Sequence, residues 1–231
     1  MNNKLLSIIV TSYNEEKTIA ELLDKVIEVP LEFEKEIIVV DGKSTDRTRE
    51  ILKDYEIKNG NIKLIFEEKR EGKGAALKKG FKIAKGDLIL IQDADLEVTP
   101  EEYPKLVSPI TRGDADVIYG SRFKNGKGLT PIGSYIGNQI ITWSINVLFL
   151  TRLTDIATCY KVFRKKLLDC ITFSCNGFDF DAEFTAKVLR LGKKIVELPI
   201  AYNPRNRREG KKLNWIAGIT SLWAIVKNRL I

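Results

Sequence analysis

Four runs rich in Val, Ile and Leu, separated by stretches of helical period, dominate the first hundred residues. Leu5–Val10, Glu36–Val40, Ile62–Phe66 and Asp87–Ile91 read as strands, and Val117–Tyr119 reads as a fifth. Between the first two, Ile19, Leu22, Leu23, Val26 and Ile27 form an apolar stripe at helical spacing. Ser44 is placed to cap the helix that carries Ile51 and Leu52. Such a βαβαβαβ series folds as a mostly parallel sheet with helices on its faces, an α/β architecture.

In sheets of this kind ligands bind outside the carboxyl ends of the strands. The polar clusters fall there: TSYNEE follows the first strand, DGKSTD the second, EEKREGKG the third, and DAD ends the fourth. Beyond these, the pattern is less regular, with helices expected over Ile136–Leu150, Asp181–Arg190 and Asn214–Asn228. At 231 residues, 44% of them hydrophobic, the chain is long enough for one substantial core, so a single domain over 1–231 is the expectation.

Composition removes several chemistries. There is no histidine, which excludes His-based triads, His-ligated zinc and imidazole acid–base work. The three cysteines, Cys159, Cys170 and Cys175, have no CxxC spacing and read as reduced thiols of a cytoplasmic protein. The net charge of +7 suits an anionic partner, whether nucleic acid, nucleotide phosphates or a membrane face. MNNKLLSIIV reads as a buried strand and not as a signal peptide, and no stretch is apolar enough for a spanning helix.

Asp93 and Asp95 lie two apart where an apolar strand ends, and in extended structure they share a face. Their repulsion is relieved by a hard cation, Mg2+ or Mn2+, which binds carboxylates together with substrate phosphates. Gly72, Lys73 and Gly74 open a helical run, as either a phosphate site or a surface turn. The run PRNRREGKK over 204–212 is either a grip for a phosphate or lipid headgroup, or a solvated loop. Trp143, Val147 and Leu150, and again Trp215, Ile219, Trp223 and Val226, recur at helical spacing. They face either the core or, beside Lys227 and Arg229, a membrane surface.

Taken together, SIIVTSYNEEKTI, IIVVDGKSTDRT, EGKGAALKKGF, IQDADLEVTPEE and YGSRF resemble family 2 glycosyltransferases of the GT-A fold, with its Rossmann-like central sheet. LTDIATCYKVFR, GFDFDAEFTAK and PIAYNPRNRREGKKL resemble the branch of dolichyl-phosphate mannosyl- and glucosyltransferases and bacterial polyprenyl-phosphate sugar transferases. The resemblance implies a nucleotide-sugar-binding half, 1–125, and an acceptor-binding half, 126–231, with amphipathic C-terminal helices. It implies that Thr11, Tyr13 and Glu15 line the nucleotide pocket and that Asp41 contacts the base. Lys73 and Arg122 would lie near the donor phosphates, and Asp93 and Asp95 would hold the diphosphate through the metal, with Ala94 between them and Glu97 beside. Arg207 and Lys212 match the branch's late basic motif, which binds the acceptor phosphate. VDG stands here where many relatives have VDD, and the late basic motif is one residue short.

The implied reaction is inverting transfer of one hexose from GDP-mannose or UDP-glucose to a polyprenyl phosphate, with no nucleic acid involved. The QxxRW motif of processive synthases is absent. A phosphate acceptor needs no general base, because its second pKa is about 6. A sugar-hydroxyl acceptor on a glycolipid or polysaccharide is the alternative, and it calls for a carboxylate base: Asp181 or Glu183, with Asp155 as a further candidate. Peripheral attachment at the cytoplasmic membrane face, or docking on a separate membrane protein, is expected. Two other classes fit less well: a nucleotidyltransferase, whose glycine-rich loop would follow the first strand, and a non-catalytic basic module.

Overall fold

The computed structural model describes residues 4–205 and 215–230. Seven strands form one sheet in the order β3-β2-β1-β4-β6-β5-β7. They are β1 (Leu5–Ser12), β2 (Glu34–Asp41), β3 (Ile62–Phe66), β4 (Leu88–Asp93), β5 (Val117–Ser121), β6 (Lys161–Arg164) and β7 (Ile195–Pro199). The first four are mutually parallel, as is the β5–β7 pair. β6 runs antiparallel to both neighbours, β4 and β5. The mostly parallel α/β sheet expected from the sequence is therefore present.

The sheet is flanked by α1 (Ile19–Glu28), α2 (Thr48–Lys58), α3 (Lys73–Ile83), α4 (Tyr103–Arg112), α5 (Ile132–Phe149), α6 (Phe180–Arg190) and α7 (Trp215–Leu230). The expected strand and helix positions agree with these within a few residues. β6 and β7 are additions that the sequence pattern did not reveal. The helix N-cap expected at Ser44 is not formed. α2 starts at Thr48, whose amide donates to the Asp46 carboxylate at 3.0 Å, while Ser44 Oγ donates to Asp41.

Ile8, Ile9 and Val10 of β1 and Ile37 to Val40 of β2 are fully buried, as expected of parallel strands covered on both faces. Helix α3 sits so close to β1 that a Cβ built on Gly80 would come within 2.5 Å of Ile9 Cγ2. Gly80→Ala is accordingly expected to destabilise the fold by about 1–3 kcal/mol through overpacking, although the same change in an open helix is favourable. An unchanged urea midpoint would contradict that packing.

A smaller cluster, with Ile145, Ile156, Ala186 and Ile225 fully buried, joins α5, α6 and α7. The aromatic stripes lie outside it. Trp143 is 65% exposed and Trp223 67%, and Ile136, Ile140, Val147, Leu150 and Ile219 are exposed with them, so a core-packing role is excluded for these residues. Among the described residues no helix is long and apolar enough to cross a membrane.

Candidate functional site

The carboxyl ends of β1, β2 and β4 carry the loops that meet at one place, and their backbone is unusual. Asn14, Lys43 and Leu96, each a few residues past its strand end, hold positive φ of 53°, 63° and 56°. Left-handed backbone costs non-glycine residues free energy and clusters where chemistry fixes a loop.

Asp93 is the last residue of β4, and its carboxylate accepts from Thr11 Oγ1 at 3.0 Å and Lys73 Nζ at 2.8 Å. Its own amide donates to Cys159 Sγ at 2.9 Å. Asp95 lies past the strand, in the turn, so the extended spacing expected of the pair is replaced by a bend. Asp95 Oδ1 caps the amide of Glu97 at 3.2 Å. Ala94, nearly fully buried, contributes backbone: its amide donates to Thr11 O and its carbonyl accepts from Thr18 Oγ1 at 2.8 Å.

The two carboxylates experience opposite fields. Burial pushes Asp93 upward, but the Lys73 ammonium and its hydrogen bonds outweigh this and hold it below the ordinary range. Asp95 is pushed up to about 6, by burial first and then by the negative charges of Asp93 and Glu97. A site with this excess of negative charge suits a cation. Among the described residues no three acidic, Cys or His side chains cluster as a complete cage. Two carboxylates sharing an ion with a diphosphate fit Mg2+ or Mn2+, which keep ligand positions for substrate oxygens.

Lys73 is the first residue of α3, and its side chain is only 9% exposed. The surface-turn reading of Gly72-Lys73-Gly74 is thereby excluded. A Cβ on Gly72 would lie 2.4 Å from Asn176 O, and one on Gly74 2.8 Å from Cys175 O, so both glycines let α3 begin against the loop before α6. Lys73 also lies 3.9 Å from Asp181, which accepts from the fully buried Lys161 at 2.5 Å. Burial lowers the pKa of Lys161, Asp181 counteracts it, and Lys73 lowers it further. Asp93, Lys73, Asp181 and Lys161 thus form a line of alternating charge from the β4 end inward.

Glu15 and Glu97 are bound by Arg205. The guanidinium donates to both Glu15 oxygens, at 2.8 and 3.2 Å, and to Asp95 Oδ2 at 3.2 Å. Glu97 accepts from the Arg205 amide at 2.9 Å and from Tyr202 Oη at 3.1 Å. The segment after β7 is therefore strapped over the Asp93–Asp95 turn.

Arg122, expected near the phosphates, is held through its guanidinium by Asp155 at 2.7 and 2.8 Å and by Ala157 O at 3.0 Å. Asn138 of α5 donates to the same Asp155, which is fully buried. Tyr202 connects Arg122 to the centre, since its ring lies 5.2 Å from the guanidinium. Glu183 is fully buried and accepts from the amides of Ser174 and Cys175, which makes it a loop anchor; its role as a base is not supported. Asp155 is excluded on the same ground.

The β2 end forms a second cluster. Asp41 is fully buried, and its carboxylate is already occupied by Arg49, Ser44 and Ser12. Arg49 also donates to Glu67 O at 2.7 Å. Next to it a cavity of about 440 Å3 is walled by Phe66, Glu67, Lys69, Glu71 and Lys79. Glu67 Oε1 accepts from Lys79 at 2.6 Å, and Oε2 is buried without a partner. Tyr13 carries the Arg70 guanidinium 3.9 Å over its ring. Arg207 and Lys212 lie outside the described residues.

Arg205, Lys161, Arg49 and Glu67 were given no role by the sequence reading. Each acts through a partner distant in the chain, and although Arg205, Lys161 and Glu67 lie in runs that were singled out, nothing in those runs marked the individual residue.

Residues 7–172 match the model of glycosyl transferase family 2. The chain is 32% identical to a dolichol-phosphate mannosyltransferase of Pyrococcus furiosus over 89% of its own length. It is 28% identical to an undecaprenyl-phosphate mannosyltransferase of Micrococcus luteus, over 93% of this chain and 90% of that one. Two curated relatives are much longer than this chain, which spans 48% and, for the Pyrococcus protein, 58% of them. The fold is shared with glucosyl-3-phosphoglycerate synthase from Mycobacterium tuberculosis, solved with Mn2+, uridine diphosphate and glucosyl-3-phosphoglycerate. The TM-score is 0.77 at 20% identity, over 99% of this chain and 81% of that one.

Proposed function

Since this chain belongs to glycosyl transferase family 2, we propose that it transfers one hexose, with inversion, from a nucleotide sugar to a polyprenyl phosphate at a membrane surface. The observation that carries the reading is the pair Asp93 and Asp95 at the carboxyl end of β4, flanked by the cations Lys73 and Arg205. The relatives named dolichol-phosphate and undecaprenyl-phosphate mannosyltransferase support the acceptor class.

In this reading Asp93 and Asp95 hold Mg2+ or Mn2+, and the Mn2+ in the Mycobacterium structure supports a divalent ion. When bound, the metal neutralises the departing nucleoside diphosphate. Thr11 and Lys73 fix the Asp93 carboxylate, and Ala94 holds the turn through its backbone. Glu15 and Tyr13 line the nucleotide side, and Arg49 and Asp41 order its far end as a unit. Asp155 holds Arg122 toward the donor phosphates. Residues 1–125 supply most of the donor half and 126–231 the acceptor half, which sends Asp181 and Arg205 into the centre. Arg207 and Lys212 take the acceptor phosphate.

A phosphate acceptor is favoured over a sugar hydroxyl by the state of Asp181. Its two oxygens face two ammonium groups, at 2.5 and 3.9 Å, so accepting a proton would disrupt a buried charge pair. The exposed faces of α5 and α7, with Trp143 and Trp223, support peripheral contact with the cytoplasmic membrane face.

The test is thermal stabilisation by UDP-glucose and by GDP-mannose, each with Mn2+ and with EDTA, followed by transfer to polyprenyl phosphate against a glycan acceptor. Ligand at about 100 times its Kd adds about 2.7 kcal/mol. A shift requiring Mn2+ with one donor, and product on the lipid phosphate alone, is expected. Product on the glycan alone would refute the acceptor assignment.

A further inference from the structure

Glu67, the first residue after β3, is tied down at almost every polar group. Its amide donates to Asp41 O at 2.9 Å, its carbonyl accepts from Arg49 at 2.7 Å, and its Oε1 accepts from Lys79 at 2.6 Å. The side chain is only 1% exposed, yet Oε2 has no hydrogen-bond partner among the described residues. A buried carboxylate oxygen without a donor is costly, and in a side chain held this firmly the donor has to come to it.

That oxygen faces Gly42 and Tyr13. A Cβ built on Gly42 would lie 3.7 Å from Glu67 Oε2 and 3.7 Å from Tyr13 Cβ, ordinary contact distances, so the glycine leaves space between them. The adjacent Asp41 is in the opposite state. Its Oδ1 accepts from the Ser44 amide at 3.0 Å and from Arg49, and its Oδ2 accepts from Ser12 Oγ at 3.3 Å and from Ser44 Oγ. Four donors fill the capacity of a carboxylate, so Asp41 has nothing left to offer a ligand, whereas Glu67 Oε2 has.

Placement in the sheet indicates which donor would arrive. Along the order β4-β1-β2-β3, Glu67 stands three strand spacings from the Asp93 turn, about 14 Å at ~4.8 Å each. A nucleoside whose diphosphate is held at the β4 end runs across β1, past Tyr13, toward Glu67. The cavity of about 440 Å3 that Glu67 lines gives a planar base room.

We propose that Glu67 reads the base of the donor nucleotide and that this base is guanine. Guanine carries two N–H groups side by side, N1–H and the 2-amino group, which match the two oxygens of one carboxylate. Oε2 is free for one of them, and Oε1 keeps a lone pair beside its bond to Lys79 for the other. Uracil offers a single N–H between two carbonyl oxygens, and those oxygens would face the negative carboxylate. The sugar donor is accordingly a guanosine diphosphate sugar, and Glu67 sets specificity without touching the reacting atoms. The inference rests on the proposed nucleotide-sugar site and adds which nucleotide enters it.

Calorimetry in saturating Mn2+ tests this without turnover. Wild-type protein is expected to bind GDP about tenfold more tightly than inosine diphosphate, which lacks only the 2-amino group, and to bind UDP more weakly still. Glu67→Ala keeps the main-chain bonds of residue 67 and leaves Lys79 paired with Glu71 at 3.2 Å. In this variant GDP should weaken by at least that tenfold, and GDP and inosine diphosphate should bind alike. A residue that merely shapes the loop would weaken all three nucleotides by one factor and preserve their ratios. Preserved ratios therefore overturn the assignment of Glu67. Wild-type protein that prefers UDP, or that does not distinguish GDP from inosine diphosphate, overturns guanine reading while leaving the nucleotide-sugar site standing. Wild-type protein that binds none of the three overturns the site itself, and the inference with it.

Discussion

Asp95→Asn is expected to lower sugar transfer by roughly a thousandfold while leaving the metal-free protein as stable as wild type or more so. The loss follows from the metal's share in stabilising the leaving diphosphate, several kcal/mol, at about 1.4 kcal/mol per factor of ten. The stability follows from the electrostatics of the turn itself. Burial, Asp93 and Glu97 all disfavour the Asp95 carboxylate, holding its pKa at about 6. In the unfolded chain it titrates near 4. The folded state therefore binds the proton more tightly, and wild-type stability in EDTA falls as pH rises from about 4 to about 6. The asparagine carries no charge and escapes that fall. Thermal melts in EDTA across this range, with transfer assays beside them, check both halves. Wild-type turnover in the variant would remove Asp95 from the metal site, and a melting temperature well below wild type would contradict the repulsion.

Asp155→Ala should have the largest effect on stability. Asp155 is fully buried, accepts from Arg122 through the main-chain amide and two guanidinium donors, and holds Asn138 of α5. Deleting it leaves a nearly buried guanidinium without its counter-charge, a change worth about 3–5 kcal/mol. At about 2–4 °C per kcal/mol for a chain of this size, the melting temperature should fall by roughly 10 °C. Replacing both partners, Arg122→Met with Asp155→Leu, should restore much of that loss, since no charge is then stranded. If the single variant melts within a degree or two of wild type, the ion pair does not hold the loop after α5 to the end of β5.

The contrast between these two aspartates shows what the sequence could reveal. Asp95 was legible because it follows a continuous apolar strand, and parallel strands buried on both faces announce themselves by composition alone. The first four strands were found for that reason. β6 was not, because four residues with Lys161 and Arg164 at their ends carry no such signal. Lys161 can be buried there only because Asp181 reaches it from α6. β7 ends in proline and contains Glu197, whose carboxylate accepts the amides of Thr154 and Asp155. Ser44 had the right type and place for a cap, but the hydroxyl found Asp41 first. Arg205 was one of several cations in a basic run, and what distinguishes it is Glu15, from the far end of the chain. Spacing along the sequence locates strand ends; it cannot show which distant side chain a charge will meet.

The antiparallel strand has a consequence for the chain as it is made. β4 pairs with β1 on one side as soon as both have emerged, but its other edge is covered only by β6, where Leu90 meets Val162. Everything from α4 through α5 must be synthesised first. Until then a growing chain displays Leu-Ile-Leu-Ile as an open strand edge, the kind that recruits another strand. The residues that end this interval, Val162 and Phe163, directly follow Lys161 in the chain. Protection of the nascent sheet therefore comes before completion of the charge line, which waits for Asp181 on α6.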